Sequence, residues 1–168
     1  MKIRTHRISA TGGLDVDFVM PPTALWQNVG QKAASQDELP QIFQKPVTCQ
    51  IYLELSNQDI FLTGDADTSL RPLCARCGEH FDLPFHVDVF LTCIPEVRRL
   101  RGTDSYQESE EGLVFFRHEE LDLGEIMREQ ILLALPMRYL CGENCKGLCP
   151  RCGTNLNFGE HACKKVAS

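Results

Sequence analysis

The sequence predicts an α+β fold: an antiparallel β-sheet, as a meander or a partly open barrel, with one or two packed helices and a cysteine-rich C-terminal tail. Three observations predict it. The centre of the chain alternates apolar and polar residues over three successive stretches, which is the period of half-buried strands. One later stretch changes to a helical period and ends at Pro136. Beyond it, residues 145–163 hold four cysteines and a histidine, "CKGLCPRCGTNLNFGEHAC".

The elements follow in order. "MKIRTHRIS" and "GLDVDFVM" read as two short strands around a turn at Thr11–Gly13. Thr23 then caps a short helix that carries Leu25, Trp26 and Val29 inward, and Pro40 closes the segment. In "VTCQIYLEL", Val47, Cys49, Ile51, Leu53 and Leu55 share one face. "NQD" turns the chain into "IFLTGDADTSL", and "FDLPFHVDVFLTCI" places Phe85, Val87, Val89, Leu91 and Cys93 together. Residues 98–112 are charged and aperiodic and read as a loop, in which Arg98, Arg99 and Arg101 are available to phosphate. "LVFF" is a short strand. Asp122 caps the last helix, with Glu125 at capping-box spacing and Leu123, Ile126, Gln130, Ile131, Ala134 and Leu135 near one face. The expected division is a core domain over 1–137 and a tail over 138–168.

Composition bounds the function. The 168 residues are 43% hydrophobic, enough for a core that does not rest on cross-links alone. The net charge of −6 argues against a broad electrostatic grip on nucleic acid, but it is uneven: residues 138–168 carry +3 and the rest −9. The first residues lack a signal-peptide pattern, and no apolar run has the length of about 18 residues that spans a membrane. A cytoplasmic location, with no membrane partner, is the expectation. There thiols stay reduced, and closely spaced cysteines read as metal ligands or redox groups.

Nine cysteines sort into two kinds. Cys49 and Cys93 sit on the apolar faces of strands and read as core residues. The other seven form Cys74/Cys77 in "CARCG", Cys141/Cys145 in "CGENC", Cys149/Cys152 in "CPRCG", and Cys163 two residues after His161. A C-x-x-C spacing lets two thiolates face one ion, and the glycine that follows permits a left-handed turn. Seven cysteines and one histidine make eight ligands, enough for two closed tetrahedral zinc sites with no open position. The expected cofactor is therefore two structural Zn2+ ions, and no catalytic residue or small-molecule substrate is implied. Two divisions fit. Either Cys149, Cys152, His161 and Cys163 form a local site and Cys74, Cys77, Cys141 and Cys145 the other, or the two C-x-R-C-G knuckles share one ion and Cys141, Cys145, His161 and Cys163 hold the second. Loop closure leans weakly toward the first. A dithiol redox centre needs a thioredoxin-like βαβ setting that the predicted antiparallel strands do not supply; an iron–sulfur cluster is a further way to use four cysteines.

The motifs run in a specific order: "LRPLCARCGEHF", "LDLGEIMREQILLALPMRYLC", then "CKGLCPRCGTNLN" and a last cysteine. This resembles the bacterial and plastid family of large ribosomal RNA subunit accumulation proteins, the YceD family, over about residues 47–163. The resemblance implies a non-enzymatic factor in the accumulation or maturation of large-subunit ribosomal RNA. Its implied partners are that RNA, a pre-ribosomal particle or a ribosomal protein. Family members often end in C-x-C; here His161, also a zinc ligand, takes the first place. A metal-stiffened tail would offer Arg76, Lys146, Arg151, Lys164 and Lys165 to phosphates. The alternative from composition is a zinc-stabilised module whose acidic body binds a basic protein.

Overall fold

The computed structural model describes residues 1–9, 11–25, 42–97, 112–159, 161 and 163. Among these residues, seven strands and two α-helices follow in order: β1 (Lys2–Arg4), β2 (Leu14–Met20), α1 (Pro22–Leu25), β3 (Val47–Ser56), β4 (Asp59–Leu70), β5 (Leu83–Pro95), β6 (Leu113–Phe116), β7 (Glu120–Asp122) and α2 (Leu123–Ala134). A five-stranded sheet runs β2-β3-β4-β5-β6, antiparallel except for the parallel β5–β6 edge, and β1 pairs with β7 in a second small sheet. The fold is α+β, in its meander form. In sequence, β5 and β6 are separated by residues 96–112, a length compatible with a parallel pairing.

Register lines the apolar positions into rows across four strands. Phe18, Cys49, Ala66 and Val87 form one; Val16, Ile51, Gly64 and Val89 the next; Leu14, Leu53, Leu62 and Leu91 a third. Helix α2 covers this face with Leu123, Ile126, Met127 and Ile131, all buried. Cys49 and Cys93 are fully buried, and burial pushes their thiols up to about 11 and about 12 respectively. Both are inert core residues at neutral pH.

Three expectations need correction. The N-terminal strand is only Lys2–Arg4 and pairs with β7, not with β2; a 3-10 turn over Thr5–Arg7 follows, and a single bridge between Ser9 and Gly13 closes the predicted turn. Ile3 and Ile8 are both buried. Their odd separation would place them on opposite faces of one continuous strand, and the 3-10 turn resolves that conflict. Thr23 lies inside α1, which starts at Pro22, a residue suited to a first helical turn. Leu25 is buried as expected, while Trp26, Val29, Pro40 and Arg98, Arg99 and Arg101 lie outside the described residues. On α2, Met127 is buried and Ala134 exposed, so the inward face is rotated toward the N-terminus. Asp122 caps this helix through the Glu125 amide at 3.2 Å, but the Glu125 carboxylate pairs with Arg128 instead of completing a capping box. The helix ends at Ala134, with Leu135 extended (φ −62°, ψ 130°) as a residue before proline prefers.

Candidate metal centre

The two C-x-R-C-G segments fold as the same knuckle. In the first, the Cys74 amide donates to Glu79 O and the Gly78 amide to Cys74 O, each at 2.9 Å. In the second, the Cys149 amide donates to Thr154 O at 2.8 Å and the Gly153 amide to Cys149 O at 2.9 Å. Gly78 and Gly153 both take φ 73°, where a side chain would be strained. Bridges Leu73–His80 and Leu148–Asn155 flank the two turns at the same offsets.

Each knuckle meets a different partner pair. Cys74 Sγ lies 3.8 Å from Cys145 Sγ, and Cys77 Sγ 3.8 Å from Cys141 Sγ. Cys149 Sγ is 3.9 Å from Cys163 Sγ, and Cys152 Sγ 3.2 Å from His161 Nε2. Within each group of four, the ligand atoms all lie within 4.8 Å of one another. Sulfurs placed about 2.3 Å from one tetrahedral ion stand about 3.8 Å apart, whereas a disulfide needs about 2.05 Å. The donor set and spacing therefore fit zinc at both groups. The eight residues come together as the first of the two divisions considered from the sequence, with the tail fastened to the β4–β5 connection.

Hydrogen bonds hold the groups in place. The Cys141 amide donates to Cys74 Sγ at 3.4 Å and, with other knuckle amides, lowers that thiol to about 6. Thr154, by side chain and amide, lowers Cys152 to about 6. Cys141 is pushed up to about 12, chiefly by its contact with Cys145, and Cys163 to about 11 by burial. The Glu79 amide lowers Cys77, but desolvation and the Cys74 and Cys145 side chains together outweigh it, and the thiol is raised. An ion entering the first group must then displace the Cys77 and Cys141 protons. Zinc affinity there should rise with pH between pH 6 and 8 and fall on acidification, as competition titration against a chelator would measure.

Asn157 was not singled out by spacing, although it closes the "GTNLN" run that follows the second knuckle. Its Nδ2 donates to Cys145 Sγ at 3.4 Å and lowers that thiol, while its Oδ1 accepts from the Lys146 amide at 2.8 Å. The second knuckle's loop thereby supports a ligand of the first group, and Leu156 N donates to Gly147 O alongside at 2.9 Å. Groups that orient metal ligands carry about 10- to 100-fold in affinity. Asn157→Ala should weaken zinc at the first group by about tenfold and leave the second unchanged, as stepwise metal titration would resolve.

The candidate contact residues have different settings. Arg76 Nη1 donates to Glu143 O at 3.0 Å and Cys145 O at 3.2 Å, clamping the 141–145 loop. Lys146 and Arg151 are exposed, and Arg151 makes no ion pair among the described residues. Lys164 and Lys165 lie outside the described residues. Beside the second knuckle, Phe158 is 79% exposed.

Comparison with known proteins places the centre in context. The sequence model of the family described as "Large ribosomal RNA subunit accumulation protein YceD" matches residues 62–168, which include all eight candidate ligands. The chain is also similar to a Zea mays protein, "Large ribosomal RNA subunit accumulation protein YCED homolog 1, chloroplastic", with 44% identity over 39 residues. That stretch is 23% of this chain and 13% of the maize protein. No solved structure matches.

Proposed function

The chain belongs to the YceD family of large ribosomal RNA subunit accumulation proteins, and from that membership we propose that it is a non-enzymatic factor in ribosome assembly. In this reading two zinc ions, one in each group, fix the 138–168 segment against the sheet and hold its basic face toward large-subunit RNA. The single observation that carries it is the span of the family match, which contains both four-ligand groups and the two like knuckles.

Closed four-ligand groups suit a structural metal, because no position remains for water or substrate. Loading all eight residues also leaves no paired thiol for redox exchange, and Cys49 and Cys93 are buried. Lys146 and Arg151 supply positive charge for phosphates, and exposed Phe158 supplies a ring on which a base can stack. Lys164 and Lys165 extend that charge in sequence. Arg76 acts mainly by holding the 141–145 loop. Among the described residues no helix is long and apolar enough to cross a membrane.

Depletion of the protein should lower mature large-subunit RNA relative to small-subunit RNA. An RNA ratio and ribosome profile that stay normal in a clean deletion would contradict the reading.

A further inference from the structure

The face of the sheet opposite α2 is acidic. Its outward positions on β2–β5 carry Asp15, Asp17, Glu54, Asp65, Asp67 and Asp88, and no lysine or arginine. His86 Nδ1 contacts Asp67 at 2.9 Å, and its Nε2 contacts Asp88 at 3.3 Å. The carboxylates of Asp15, Asp17, Glu54 and Asp65 have no hydrogen bond or ion pair among the described residues. Register sets Asp65 directly opposite Asp88 across β4 and β5. Like charges so placed destabilise a sheet. His86, set between Asp67 and Asp88 and raised by both, offsets part of this charge, while Asp15, Asp17 and Glu54 have no such partner among the described residues.

The same face exposes three aromatic rings. Tyr52 is 38% exposed, Phe61 45% and Phe90 69%. Tyr52 and Phe90 flank Thr63 from either side, two strands apart, and Phe61 is opposite Glu54 and Thr92, so Phe61 is a diagonal neighbour of both other rings. Such neighbours stand about 7–8 Å apart. Aromatic rings beside unpaired carboxylates form a surface for guanidinium and ammonium groups, which stack on the rings and pair with the acids. RNA would be repelled from it.

We propose that the outward face of β2–β5 docks a lysine- and arginine-rich protein segment. Tyr52, Phe61 and Phe90 are its apolar floor and the surrounding carboxylates its specificity. Charge complementarity selects this occupant. Resting on the accumulation reading, the segment belongs to a basic ribosomal protein of the large subunit. The chain would then hold RNA and protein on separate surfaces, with the knuckles on the first and the sheet on the second.

The test uses the full chain loaded with zinc, with a photo-crosslinking amino acid in place of Phe90. The probes are purified, RNA-free ribosomal proteins of the large subunit and, separately, a large-subunit RNA transcript. The expected result is crosslinking through residue 90 to at least one lysine- and arginine-rich ribosomal protein. Calorimetric affinity for that protein should fall by about tenfold or more in Asp17→Lys/Asp65→Lys and be unchanged in Arg151→Glu. The double variant should melt no lower than the parent, because it relieves the Asp65–Asp88 repulsion. Asp17→Asn/Asp65→Asn gives an intermediate loss and serves if the reversal misfolds. The proposal is overturned if no ribosomal protein binds, if binding survives the charge reversal, or if the RNA crosslinks through residue 90. Ribosomal-protein binding with normal large-subunit RNA in a deletion supports the docking face and contradicts the accumulation reading. A fall in that RNA with no ribosomal protein bound does the opposite.

Discussion

Cys77→Ser should lower the zinc content from two ions per chain to one and release the tail from the first knuckle while the sheet stays folded. Cys77 faces Cys141 at 3.8 Å, in a group whose other bridge joins Cys74 to Cys145. Few apolar contacts substitute for this ion. Between Met137 and Phe158, Leu148 and Phe158 are themselves exposed, as is Met137. Structural zinc contributes about 10–16 kcal/mol in small peptides, against about 5–15 kcal/mol for a whole domain. The core rows across β2–β5 do not depend on the ion. Far-UV circular dichroism should therefore keep its sheet signal while limited proteolysis opens new cleavage between Met137 and Leu148. The local group at Cys149, Cys152, His161 and Cys163 should keep its ion, because no ligand of that group is altered. Two ions retained in Cys77→Ser would contradict the assignment of that ligand.

Gly64→Val should destabilise the sheet without touching the metal groups. Gly64 stands in an inward row between Ile51 and Val89. A Cβ there would lie 2.4 Å from Gln50 O and 3.1 Å from Ile51 Cα, and both are backbone atoms of the paired strand. Neither can move without parting β3 from β4. Overpacking of this kind costs about 1–3 kcal/mol, with the β-branched side chain at the upper end. The expected readout is a lower urea midpoint with zinc stoichiometry unchanged in the folded fraction, which separates the sheet from the metal groups. A midpoint equal to the parent would show that the strands can part there freely.

The central strands were legible because period-2 alternation runs through Val47–Leu55 and Phe85–Cys93 without a break, and one face must be buried. The sheet's own register could not be read from those strands alone, but it follows from the two-residue Asn57–Gln58 turn, with Asn57 at φ 58°. The N-terminal strand misled because its partner, β7, lies about 120 residues away, and no local pattern records so distant a pairing. The α2 face was misjudged by one position, since both Met127 and Ala134 satisfy a helical apolar stripe and only packing against β1 and β5 separates them.

The metal groups show a similar split. The eight residues that converge into two groups of four stand out by residue type and spacing, because C-x-x-C fixes local geometry wherever it occurs. Their division into fours depended on which loop approaches the β4–β5 connection, and that is decided by Ala75 N donating to Tyr139 O at 2.8 Å and by the Arg76 clamp. Asn157 escaped notice because an asparagine in a polar loop usually marks only a turn. The acidic outward face was also hidden: its members are scattered over four strands and converge only through register.

The most direct measurement of the central claim is metal analysis of protein purified without added zinc, by native mass spectrometry with elemental identification. Two zinc ions per folded chain, the masses of reduced cysteines, and stepwise loss of both ions to a chelator are expected. Protein that folds with no metal, that carries iron, or that holds Cys74/Cys77 and Cys149/Cys152 as disulfides would contradict that claim.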